Sequence, residues 1–221
     1  MTDVGERLVE RLIAYGVVRL FGVPGGQTAP FYHGLALHRG EIDHVLMRDE
    51  RSAVFAADAY ARVAGRVGVC DATVGPGATN LVSGLVEAYS SSIPVLAVVA
   101  DIPRGWAHRR HLGSASQGFE QRDFLEPCVK WYGRVETPEQ LDDVLGRLAG
   151  AVHDLGVAGA CGAVDIEPGE AEVERGRRAG VRPIGVGHEA NLVGPTLGFR
   201  NARSAASAIC LPRPGRDVRG A

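Results

Sequence analysis

Residues 93–101, IPVLAVVAD, run through eight apolar residues without a polar break before they reach an acid. Side chains of an extended segment alternate between two faces, so a strand of this composition must be covered on both of them. A sheet sandwiched between helices meets that demand. The stretches VVRLFGV, DHVLM, VGVCDATV, CVKWYGRV and GACGAVDI read as further strands. Helical patterns lie between them. Val4, Leu8 and Leu12, with Val9 and Ile13, recur at helical spacing, and TAPFYHGLALH, RDERSAVFAADAYARVAG, LVSGLVEAYSS and TPEQLDDVLGRLAGAVHDL follow, the last with Pro138 in its first turn. Helices alternating with buried strands predict an α/β fold: a flavodoxin-like, doubly wound parallel sheet of about six strands, with helices on both faces and right-handed crossovers. A ligand site then lies beyond the carboxyl ends of the strands.

Residues 169–221 break this pattern, with nine Arg against five acidic residues, nine Gly and no sustained period. They read as an irregular, poorly ordered tail, which leaves residues 1–168 as the folded domain. The chain holds 23 Arg and a single Lys, so the basic excess of the tail is a habit of the whole sequence and does not mark a nucleic-acid arm. A formal charge of −2 and a pI near 6.4 give no global positive field for nucleic acid or an anionic membrane. Cys70, Cys128, Cys161 and Cys210 lie far apart with no C-x-x-C pair, which argues against a zinc site and a secreted disulfide scaffold and fits a reducing cytoplasm. The N-terminus, charged within seven residues, reads as an amphipathic helix rather than a signal peptide or a span.

Three loops fall at predicted strand ends: PGGQ at 24–27, RDE at 48–50 and TVGPGATN at 73–80. Gly25, Gly26, Gly75 and Gly77 permit positive φ or close approach of the backbone to a ligand, although turn geometry alone also accounts for them. GPGATN has no following Lys-Ser/Thr and lacks the third small residue of G-x-G-x-x-G, so it is not a phosphate loop of either kind. Glu50, at the front of the Ala-rich helix, has two readings. It complements the helix dipole, or it is a partly desolvated carboxylate at the ligand edge, a strong acceptor for a protonated ring nitrogen. The loop PRGWAHRRH gathers Arg104, His108, Arg109, Arg110 and His111, either as an anionic-substrate contact or as a solvated surface. No carboxylate or cysteine stands at ligand spacing beside its histidines, so no metal is assigned to the chain's own residues.

Taken together, LFGVPGG, the E-x-x-A-x-x-x-A-x-x-Y-A-R pattern from Glu50, the G-P-G-x-x-N loop and GFEQRDF resemble the N-terminal pyrimidine-binding domain of thiamine-diphosphate enzymes, acetolactate synthase large subunits most of all. The similarity runs from about Val4 to Ile166. It implies that Glu50 hydrogen-bonds the ring nitrogen of the aminopyrimidine and relays protons, while the thiazolium ring serves as electron sink for a small 2-oxo acid. By the same resemblance Pro24, Gly25, Gly26, Thr73, Gly75, Pro76, Gly77 and Asn80 shape the pyrimidine pocket, and Arg104, His108, Arg109, Phe119 and Gln121 stand toward substrate.

Some positions differ from that family. Asp49 replaces a common His, placing a second carboxylate beside Glu50; Asp101 replaces Gln; and Phe119, Glu120 and Gln121 replace the order F-Q-E. The G-D-G motif and downstream Asn, through which such enzymes hold Mg²⁺ and the diphosphate, are missing from these 221 residues. The expectation is therefore half a site, completed by self-association or by a diphosphate-binding domain of another chain. A truncated or frame-disrupted gene and a natural subunit both fit, as does the α subunit of a split sulfopyruvate- or phosphonopyruvate-type decarboxylase. A noncatalytic dimerisation module is the alternative from another class. The motifs do not decide for or against FAD.

Overall fold

A computed structural model of the chain describes residues 3–153 and 161–166. The tail at 169–221 and its boundary with the folded domain lie outside the described residues. The elements run α1 (Val4–Ala14), β1 (Arg19–Gly22), α2 (Ala29–Leu37), β2 (Asp43–Leu46), α3 (Glu50–Ala64), β3 (Gly68–Ala72), α4 (Pro76–Ser90), β4 (Val95–Ala100), a 3₁₀ segment (Arg104–Leu112), α5 (Arg122–Leu125), β5 (Trp131–Val135), α6 (Pro138–His153) and β6 (Cys161–Ile166).

Six strands form one sheet in the order β2-β1-β3-β4-β6-β5, every neighbouring pair parallel. The expected doubly wound α/β architecture is therefore present. The chain steps from β1 outward to β2, crosses back to β3 and continues to β4, which makes the carboxyl ends of β1 and β3 the switch point. Every residue of β3 and β4 is buried, as the unbroken apolar composition of β4 requires; in β3 this includes Asp71.

Two apolar clusters divide the faces. Leu8, Leu12, Phe31, Leu35, Leu141 and Leu145, from α1, α2 and α6, pack on one face with Leu20, Val69 and Val164. Val54, Ala57, Ala78, Leu81 and Leu85, from α3 and α4, pack on the other with Cys70, Ala72, Ala97 and Val99. Small residues set the helix spacing. A Cβ on Gly84 of α4 would lie 2.3 Å from Val54 Cγ1, so α3 and α4 approach more closely than two ordinary side chains allow.

One boundary differs from expectation. GPGATN reads as a turn before a helix starting near Leu81, but α4 already begins at Pro76. Pro76 occupies the first helical turn, where its missing N–H costs nothing, and Gly75 caps it at φ 66 and ψ −109.

Candidate active site

At the carboxyl end of β2 the chain turns into α3 through Asp49, not Glu50. Asp49 is the N-cap: its carboxylate accepts from the Ser52 backbone N–H at 2.7 Å and from Ser52 Oγ at 3.0 Å. Those bonds, the backbone one foremost, hold the Asp49 carboxyl below the usual aspartate range. Asp49 thus takes the capping role and turns to Ser52, and the side chain of Glu50 is left for another use.

Glu50 is half-buried. Its Oε2 accepts from Asn80 Nδ2 at 3.0 Å, and its Oε1 lies 3.0 Å from where a Cβ on Gly77 would stand. Gly77 therefore works by close approach, since any side chain there would push on the carboxylate. Gly25 does the same across the switch point: a Cβ on it would lie 2.3 Å from Thr73 Oγ1. Thr28 ties the PGG loop down, its Oγ1 accepting from Gly25 N at 2.8 Å and donating to Gly25 O at 3.0 Å. Thr73 Oγ1 also reaches Gln27 Oε1 at 3.5 Å. Of the four site glycines only Gly75 has positive φ; Gly25, Gly26 and Gly77 do not, and for Gly25 and Gly77 the requirement is space. Gly26 and Pro76 are exposed, and Pro24 is half-buried.

The structure brings Gly25, Thr73, Glu50, Gly77 and Asn80 into one chain of contacts. Gly75 joins them through an unexpected partner. Gln121 is 0% exposed, and its amide bridges two main-chain groups, accepting from Gly75 N at 3.0 Å and donating to Ala100 O at 3.2 Å. The amide of this residue, which the resemblance sets toward substrate, ties the end of β4 to the start of α4. Phe119 is exposed and packs on Phe124, ring centroids 5.7 Å apart. Arg104, His108 and Arg109 are exposed on the 3₁₀ segment, with Arg109 stacked over Trp106 at 5.2 Å. The neighbouring Arg110 turns inward to Asp101 at 2.5 Å, and Arg134 and Glu120 complete an ion cluster under this segment. In that cluster burial raises the Glu120 carboxyl, but Arg134 and Arg110 outweigh it and hold the group below the usual glutamate range.

A second polar cluster lies beneath the switch point. Tyr32 Oη, His44 Nε2 and the fully buried Asp71 carboxylate lie within 3.2 Å of one another. Burial pushes both the Asp71 carboxyl and the Tyr32 hydroxyl up, the latter far above the ordinary tyrosine range. The visible sign of this cluster was an acid in the middle of the apolar strand VGVCDATV.

At this cradle Gly25 and Gly77 leave the backbone bare beside Thr73 and the Glu50 carboxylate, and Glu50 offers a hydrogen-bond acceptor at the switch-point end of the sheet. Among the described residues no group of three His, Cys, Asp or Glu could hold a metal ion, and no helix is long and apolar enough to cross a membrane. Residues 2–124 match the family described as "Thiamine pyrophosphate enzyme, N-terminal TPP binding domain". The chain is 40% identical over 192 residues to an acetolactate synthase of Arthrospira platensis, covering 80% of this chain and 31% of that protein. It is 36% identical over 163 residues to the acetolactate synthase isozyme 2 large subunit of Escherichia coli, covering 72% and 27%. A probable 2-ketoarginine decarboxylase of Pseudomonas aeruginosa is 38% identical over 155 residues, covering 68% and 26%. The chain thus spans about 30% of the length of these curated relatives. It belongs to the thiamine pyrophosphate enzymes and carries their N-terminal TPP-binding domain.

Proposed function

We propose that this chain provides the pyrimidine half of a thiamine-diphosphate site in an acetolactate-synthase-like enzyme acting on a small 2-oxo acid. The observation that carries the reading is the Glu50 carboxylate: one oxygen is taken by Asn80, and the other is bordered by Gly77, where no side chain intervenes. When bound, thiamine diphosphate supplies the electron sink for decarboxylation and carbon–carbon bond formation. Glu50 holds a proton against the ring nitrogen of the pyrimidine and passes it back and forth. Asn80 fixes the carboxylate rotamer, and Gly25 and Gly77 let the backbone approach the ring. The diphosphate and its Mg²⁺ are held by a separate diphosphate-binding domain, which the longer relatives have room to carry. The exposed guanidinium groups of Arg104 and Arg109, with the exposed His108 imidazole beside them in the segment, favour a substrate with an anionic tail, as in a split sulfopyruvate- or phosphonopyruvate-type decarboxylase.

The test is reconstitution. The full chain is mixed with a diphosphate-binding domain, thiamine diphosphate and Mg²⁺, and cofactor binding and pyruvate consumption are followed. Glu50→Gln keeps the shape and removes the ionisable group, so turnover should fall by about 10²- to 10⁴-fold with the fold intact. Undiminished turnover removes Glu50 from the mechanism. Failure of the cofactor to bind any such mixture leaves a noncatalytic dimerisation module.

A further inference from the structure

Tyr32, His44 and Asp71 come from α2, β2 and β3 and meet at one point on the otherwise apolar face of α1, α2 and α6. Tyr32 Oη donates to Asp71 Oδ2 at 2.8 Å and lies 2.8 Å from His44 Nε2, which is 3.2 Å from Asp71 Oδ1. With the Tyr32 proton spent on Asp71, the phenolic oxygen accepts from His44, which places a proton on Nε2. Tyr32 Oη, His44 Nε2 and the Asp71 carboxylate each thereby have a partner. A buried carboxylate in an apolar layer is nonetheless expensive compared with a Val or Leu, so its presence calls for a reason beyond packing.

The reason lies in what the cluster spans. Asp71 pairs in register with Gly22 of β1, and His44 pairs with Leu20 from the opposite side of the same strand. The two side chains must reach across β1, a distance of about two strand spacings, roughly 9.6 Å. They can do so because Gly22 is bare: a Cβ there would lie 1.8 Å from Asp71 Oδ1. The cluster straps edge strand β2, which pairs with β1 over only four residues, to β3 at the centre of the sheet. β2 ends at Leu46, Met47 N still donates to Gly22 O at 3.0 Å, and Glu50 opens α3 three residues later. Any slip of β2 is passed directly to Glu50.

We propose that Tyr32, His44 and Asp71 are positioning residues for Glu50, clipping β2 to β3 across Gly22 so that the carboxylate meets Asn80 and faces the cradle. The proposal rests on Glu50 being the residue that serves the cofactor, but its test needs no cofactor. In ¹⁵N spectra of the full chain, the Asn80 side-chain amide reports the bond to Glu50, with Glu50→Ala as the reference for its loss. His44→Leu and Tyr32→Phe should move that resonance toward the Glu50→Ala position. They should also speed exchange of the Met47 amide by about tenfold or more, with amides of α1 unchanged. His44→Gln, whose amide N–H can stand in for Nε2–H, should restore both signals. If His44→Leu folds and leaves Asn80 and Met47 as in the parent, the proposal fails. If it does not fold, Tyr32→Phe, which removes a single oxygen, decides by the same two signals. Thiamine-diphosphate binding is titrated separately, in the mixture with a diphosphate-binding domain and Mg²⁺: its absence there overturns the functional reading, whereas an unmoved Asn80 amide overturns the strap.

Discussion

Gly22→Ala makes the most direct demand on the switch point. The added methyl would stand 1.8 Å from Asp71 Oδ1 and 2.3 Å from its Cγ. Asp71 is 0% exposed on a strand paired on both sides, so it has nowhere to retreat without releasing Tyr32 and His44. Overpacking of this kind costs about 1–3 kcal/mol, and each hydrogen bond lost to a charged acceptor about 1.5–3 kcal/mol. The gain from replacing a strand Gly is only about 0.5–1 kcal/mol. The expected loss is therefore about 3–8 kcal/mol, a large share of the 5–15 kcal/mol typical of a domain. Asp71→Ala alone should cost about 1–2 kcal/mol, because Tyr32 and His44 still have each other at 2.8 Å and the burden of a buried carboxylate is gone. In the double variant the new methyl enters the space that Asp71 vacates, so its stability should match Asp71→Ala rather than the sum of the two. Urea unfolding of the full chain, extrapolated linearly, measures all four corners of the cycle. Additivity within about 0.5 kcal/mol, or a Gly22→Ala loss below about 1 kcal/mol, would refute the strap across β1.

Three further outcomes follow from the same geometry. Burial raises the Asp71 carboxyl, so the folded state holds its proton more tightly than the unfolded chain; that stabilisation is complete below about pH 4 and is lost as the pH rises through the raised folded value. As the pH rises above about 4 the parent should lose stability relative to Asp71→Asn, and parallel curves would show that burial does not govern this carboxyl. Gly84→Ala sets a methyl 2.3 Å from Val54 Cγ1 and should cost about 1–3 kcal/mol despite the better helix propensity of Ala, with Val54→Ala relieving the clash when the two are combined and melted together. Arg110→Met leaves the buried Asp101 facing Arg134 at 3.6 Å and should cost about 3–5 kcal/mol in thermal or urea unfolding; a loss below about 1 kcal/mol would mean that Arg134 suffices.

The site was legible where its signals were local. Asp49 and Glu50 stand in sequence at the start of a helix, and the choice between capping and chemistry was visible there, although only the bonds to Ser52 assign the cap to Asp49. Pro76 and Gly75 carry the signature of a helix start, and the turn expected through Asn80 gave way to it. The family resemblance places both Phe119 and Gln121 toward substrate, yet in the fold the two diverge: Gln121 is buried against Gly75 and Phe119 is exposed. The cluster under the switch point showed in sequence only as an out-of-place acid, because Tyr32 and Asp71 are 39 residues apart.

Composition and period determined by themselves that this chain makes a parallel sheet covered on both faces, because an apolar strand such as VLAVVA has no other stable environment. They also placed the glycine loops and Glu50 at strand ends, since each of those signals is read within a few residues. The strand order, the bare space at Gly22, Gly25 and Gly77, and the pairings of Glu50 with Asn80, Asp101 with Arg110 and Asp71 with His44 were decided by tertiary structure alone. The physical reason is that a side chain's role here depends on which distant group occupies the neighbouring few ångströms, and the packing of the sheet against its helices sets that.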